Sequence, residues 1–151
     1  MSRLLEMLKL HEGLRLKPYK CTANKWTIFI GRNYQDNPFT TEELTLILNK
    51  GCTEEVAYII LNNDVSKVKR QLARIAYFTE LDEVRRAVLI DMCFNLGIDR
   101  LLGFKNTLKC IQERNFKDAA KEMLNSQWAK QVGWRAVRLS KMMETGDWQL
   151  N

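Results

Sequence analysis

The chain has 151 residues, 46% hydrophobic and 28% charged, enough for one domain that buries roughly 70% of its unfolded surface and unlike a disordered or fibrous chain. Its opening stretch, MSRLLEMLKLHEGLRL, has too short an apolar run for a secretory leader and too many charges for a membrane span, so we expect synthesis in a cytoplasm and no stable membrane insertion. The net charge of +6 and a pI near 9.2 favour an anionic partner; with no zinc-finger spacing, Arg-rich arm or aromatic nucleic-acid motif, nucleic acid is not the partner we expect.

Leu4, Leu5, Met7 and Leu8 form the apolar side of a first helix closed by Glu12 and Gly13. Two short extended runs follow, Leu14–Lys20 and Trp26–Ile30, joined by Cys21-Thr22-Ala23-Asn24-Lys25, which has the length of a hairpin loop. The polar run from Gly31 to Pro38 reads as a surface loop that breaks any further strand. Thr40 with Glu43 forms a capping box for a helix through Leu44, Ile47 and Leu48, stopped by Gly51. Thr53 caps a long helix carrying Val56, Ile59, Ile60, Val65, Val68 and Leu72.

From Asp82 the run Val84, Ala87, Val88, Ile90, Asp91, Met92, Cys93, Phe94 is apolar nearly all round, the mark of a central buried helix ending at Gly97. Short helices follow at Phe104–Arg114, Asn115–Leu124, Ser126–Gln131 and Trp134–Glu144. Trp128, Trp134 and Trp148 are expected in their core. The predicted class is α+β, mostly α: one domain over 1–151, with a hairpin-bearing small lobe (about 13–60), a connecting helix (about 53–73) and a helical lobe (about 74–151) that includes the N-terminal helix. Cys21, Cys52, Cys93 and Cys110 show no CxxC pairing, and with one histidine in the chain we expect free thiols, no metal and no cofactor.

The segments HEGLRLKPYK, WTIFIGRN, NNDV, VRRAVLIDMCFNLG, GFKNTLKCIQERNFKDAAKEM and SQWAKQVGWRAVRLSKMMETGDW together resemble the bacteriophage-type lysozymes, glycoside hydrolase family 24, from about Leu5 to Trp148. The resemblance implies cleavage of the β-1,4 bond between N-acetylmuramic acid and N-acetylglucosamine in peptidoglycan, by a monomer released from the host cytoplasm onto the wall. The family pattern is a Glu at the helix end, an Asp at the hairpin turn and a Thr in the second strand. Here these positions hold Glu12, Cys21 and Thr27.

Glycosidic cleavage needs an acid for the leaving oxygen and a second group to handle water or the oxocarbenium charge. The resemblance gives the first role to Glu12, the second to Cys21 and water orientation to Thr27. It places Phe94, Asn95, Phe104 and Thr107 in the wall of the sugar cleft, and makes Arg135 the arginine that reaches the Glu. Arg32 and Asp64 stand at positions expected to form an ion pair. Where the family reads Thr-Ile-Gly-x-Gly this chain reads Thr27-Ile28-Phe29-Ile30-Gly31, so the Phe29 ring either fills part of the cleft or packs away from it. If Cys21 does not stand in for the Asp, the protein is a wall-binding module with weakened hydrolysis; a cleavage using Glu12 alone is a third reading.

Overall fold

The computed structural model describes residues 2–150. Among them lie α1 (Arg3–Glu12), β1 (Arg15–Lys20), β2 (Trp26–Phe29), β3 (Arg32–Asn33), α2 (Thr41–Lys50), α3 (Glu54–Leu72), α4 (Glu83–Leu96), α5 (Ile98–Leu102), α6 (Lys105–Gln112), α7 (Phe116–Leu124), α8 (Gln127–Val132) and α9 (Trp134–Thr145), with a 3-10 turn at Phe78–Glu80. This is the mostly helical α+β class that the sequence predicts. The chain forms two compact units, Met1–Lys67 and Val68–Asn151, and the boundary falls inside α3.

In the first unit the strands form one antiparallel sheet in the order β1-β2-β3. β1 pairs Arg15 with Phe29 but Tyr19 with Thr27, so its register shifts in between. Pro18 sits in that irregular stretch of an edge strand, where a missing N–H costs no ladder bond. The extra residues are a bulge. The core of this unit is built from Met7, Leu8, Ile28, Phe29, Ile30, Val56, Ala57, Ile60 and Leu61, all buried.

Two expectations change here. Residues 31–38 are not simply a surface loop: β3 continues the sheet, pairing Ile28 with Arg32, and Arg32 is only 4% exposed. Leu44 and Leu48, read as the apolar side of α2, are 48% and 84% exposed. Helical periodicity marks a face without saying what covers it.

Phe29 is fully buried, and its ring meets Phe39 edge-on with centroids 6.2 Å apart. The ring therefore packs into the core of its own unit. Its backbone has φ +62°, the left-handed region that costs a non-glycine residue about 1–2 kcal/mol. Burying a phenylalanine, whose truncation costs about 3–5 kcal/mol, exceeds that strain.

Arg32 is caged. Its Nε donates to Asn37 O at 2.8 Å; Nη1 donates to Glu43 Oε2 at 3.0 Å and Asp64 Oδ1 at 2.8 Å; Nη2 donates to Glu43 Oε1 at 2.8 Å and Pro38 O at 3.1 Å. These five bonds use all the donors of a guanidinium. The Arg32–Asp64 pair is as expected; Glu43 is an addition. As third helical residue of α2 it closes the capping box with Thr40, and its carboxylate also takes both ends of Arg32.

Two buried carboxylates share this one cation, and their titration diverges. For Glu43, burial works upward but is outweighed by Arg32, the Thr40 backbone and Asn63, which hold it down at about 2. For Asp64, burial comes first, and with the charge of Glu43 it outweighs the attraction of Arg32 and pushes the group up to about 6.

In the second unit α4 is buried around much of its circumference, from Val84 to Leu96. Asp82 caps it by accepting from Arg85 N, and Gly97 ends it. α9 packs on both α4 and α7, and Ser140 Oγ donates to Ala120 O at 3.0 Å across the α7–α9 contact. Trp128 is 2% exposed, as predicted. Trp134, predicted as core, is 82% exposed; as the first residue of α9 it lies off the helix face that buries Ala136, Leu139, Ser140 and Met143.

Candidate functional site

α1 ends at Glu12 because Gly13 takes φ +78° and its N–H closes onto Lys9 O. Glu12 thus stands at a helix C-terminus, where the macrodipole favours cations. A carboxylate there stands against that field. A Cβ built on Gly31 would lie 2.7 Å from Glu12 Oε1 and 2.9 Å from its Cγ and Cδ. The acid therefore rests on bare backbone, and Gly31, at φ +70°, supplies both the space and the conformation.

Cys21 follows β1 directly. Its N–H donates to Lys25 O at 3.0 Å and its carbonyl accepts from Asn24 N at 2.8 Å, which folds the loop back on itself with Asn24 at φ +61°. Burial pushes the Cys21 thiol up, but the Lys25 backbone, the Thr27 hydroxyl and the Ala23 backbone outweigh it, so the thiol titrates below its ordinary value. The relief comes from local hydrogen bonding to the thiolate.

Thr27, 3% exposed, donates its hydroxyl hydrogen to Lys25 O at 2.9 Å. That single hydrogen serves either Lys25 O or the Cys21 thiolate, and in both cases the oxygen lone pairs can still accept. Burial pushes the Tyr19 phenol up, and the charges of Glu12 and Cys21 add to that while Arg15 works against it. Tyr19 did not stand out in the sequence; Gly31 stood out only as the last glycine of the Thr27–Gly31 stretch, with nothing there to show that it lies under Glu12.

The residues expected to bind sugar lie in the second unit. Trp128 brings two of them together: its Nε1 donates to Asn95 Oδ1 at 2.7 Å, and its ring meets Phe104 edge-on at 6.1 Å. Phe104, Thr107 and Trp128 line a groove of about 330 Å³ with Arg100, Lys105, Asn106, Glu122, Asn125, Ser126 and Gln127. Thr107 is 3% exposed, so it supplies part of the wall. Asn95 is exposed and Phe94 half-buried.

Arg135 donates through Nε to Asp91 Oδ1 at 2.8 Å, and Nη2 lies 3.5 Å from Asp91 O. Asp91 is wholly buried. The sequence hint was an acid within an otherwise apolar run; its partner lies 44 residues away, beyond local pattern. Among the described residues no His, Cys, Asp and Glu cluster could hold a metal, and no helix is long and apolar enough to cross a membrane.

A family profile described as phage lysozyme matches residues 9–143. The chain belongs to the phage lysozyme family. It is 29% identical to a probable T4-type lysozyme 1 of Dictyostelium discoideum, over 96% of this chain and 95% of that protein. It is 26% identical to an endolysin of Acyrthosiphon pisum secondary endosymbiont phage 1, over 87% and 82% of the two chains. It also matches, at 25% identity and over 95% of its own length, a segment covering 28% of the pre-baseplate central spike protein Gp5 of Enterobacteria phage T4. The lysozyme-like region therefore occurs both nearly alone and within a larger phage protein.

Proposed function

We propose that this member of the phage lysozyme family is a muramidase, hydrolysing the β-1,4 bond between N-acetylmuramic acid and N-acetylglucosamine of bacterial peptidoglycan as a monomer without cofactor. Glu12 is the general acid that protonates the leaving oxygen. Cys21, as thiolate, takes the place of the second carboxylate, either activating water or attacking the anomeric carbon. Thr27 accepts a hydrogen from the attacking water. Phe94, Asn95, Phe104, Thr107 and Arg135 hold the sugar chain.

The observation that carries this reading is the seat of Glu12 on Gly31, which fixes a carboxylate in a close backbone contact at a helix end that does not favour it. The test is turbidity clearing of chloroform-treated Gram-negative cells by the purified protein beside Glu12→Gln, which keeps shape and hydrogen bonding and removes the transferable proton. Clearing by the parent and none by the variant is the expected result; equal lysis by both eliminates the assignment.

Cys21 itself favours a second reading, a wall-binding protein with weakened hydrolysis. A neutral thiol would leave the oxocarbenium charge uncompensated. Binding to purified sacculi without loss of turbidity would mark that case.

A further inference from the structure

The second unit holds another concavity, away from the Trp128 groove in its lining. It measures about 350 Å³ and is lined by Leu124, Ala129, Lys130, Gly133, Trp134, Ala136 and Val137. Trp134 is 82% exposed, Leu124 47% and Val137 45%. Three large apolar side chains left in water around one depression, one of them an indole, mark an interaction surface more than a packing accident.

We propose that this groove binds an N-acetylated sugar ring of the wall polymer, stacked on the face of Trp134. The inference rests on the reading of the protein as peptidoglycan-directed, and adds a second contact to it. Shape, size and chemistry narrow the occupant. Ala129, Gly133 and Ala136, small residues among α7, α8 and α9, leave an open, shallow groove beside Trp134 that a ring edge can enter.

A volume of about 350 Å³ is at the lower end of small-ligand sites, which run from about 300 to 1,000 Å³. A second copy of the chain would need about 800 Å² of matching surface on each partner, far more than three side chains offer. An amino sugar has an apolar C–H face for the negative face of the indole and an acetamido methyl for Leu124 and Val137. Its polar rim and the lactyl and peptide carboxylates of the polymer suit Lys130. Exposed Lys141 stands four residues beyond Val137, on the same side of α9.

The test uses Glu12→Gln protein, so that the polymer is not cut, in co-sedimentation with purified sacculi. Adding Trp134→Ala is expected to weaken binding about tenfold, which corresponds to about 1.4 kcal/mol, with no change in melting temperature. Trp134→Phe, which keeps a ring, should recover most of the loss. Three results overturn the proposal: unchanged binding in Trp134→Ala; a loss confined to phosphatidylglycerol vesicles, which makes the surface a lipid contact; or a dimer in sedimentation that Trp134→Ala dissociates. If the parent fails to clear cells while the tryptophan dependence holds, the hydrolase reading falls and the binding site stands. If the parent clears cells and binding ignores Trp134, the reverse is true.

Discussion

Replacing Arg32 by lysine keeps the charge and tests the cage alone. Arginine places five donors in a fixed fork, and each has an acceptor at 2.8 to 3.1 Å here. An ammonium has three donors at a single point, so at least two of the five bonds are lost, although the Glu43 and Asp64 oxygens keep those from Thr40 N, Asn63 Nδ2 and Asn37 Nδ2. Each hydrogen bond from a charged group is worth about 1.5–3 kcal/mol, so losing two should cost Arg32→Lys about 3–6 kcal/mol, and Arg32→Met, which strands two buried carboxylates, about 3–5 kcal/mol or more. For a chain of this size each kcal/mol moves the melting temperature by about 2–4 °C. Thermal and urea unfolding followed by circular dichroism should show a drop of at least about 5 °C for Arg32→Lys. A shift under about 1 °C would place the cage with exposed ion pairs, worth about 0–1 kcal/mol, and refute the argument from burial.

Asp64→Asn should alter how stability depends on pH. Asp64 sits at about 6 in the fold against an ordinary 3.8, so its contribution is fully present below pH ~4 and lost as pH rises through about 6; Glu43, at about 2, acts oppositely and fails only as pH falls through that value. Wild type should therefore gain on Asp64→Asn by on the order of 2–3 kcal/mol between pH 7 and pH 4, and parallel curves would reject the assignment. For Cys21, lysis by the parent should rise with pH toward a thiol value below the ordinary one, whereas Cys21→Asp should clear cells with a flat profile; alkylating Cys21 without effect, in a protein whose other cysteines are replaced, would remove the thiol from the mechanism. Gly31→Ala should cost about 1 kcal/mol of stability through its positive φ, yet about a hundredfold in lysis, because its Cβ displaces Glu12 and a misplacement near 1 Å can cost that much. Activity that falls only in step with stability would mean that the seat under Glu12 does not matter.

Much of the chain was legible because its signals are local. The Thr40 and Glu43 box, the Asp82 cap, and the stops at Gly13, Gly51 and Gly97 each act within about four residues, so sequence alone placed α1, α2, α3 and α4 closely. The position of Glu12 at a helix end followed the same way, and the Arg32–Asp64 pair followed from resemblance. What escaped were matters of what lies opposite. Nothing in residues 31–38 says that Arg32 is buried, because that depends on acceptors 11 and 32 residues away converging on it. Glu43 showed its role as a cap and hid its role as a counterion. Phe29 offered two placements, and only the position of Phe39 chose between them. Trp128 and Trp134 look alike in the sequence, yet one is 2% and the other 82% exposed. Hydrophobicity is a property of the residue, whereas burial is a property of its neighbours in space, and these the tertiary structure alone decides.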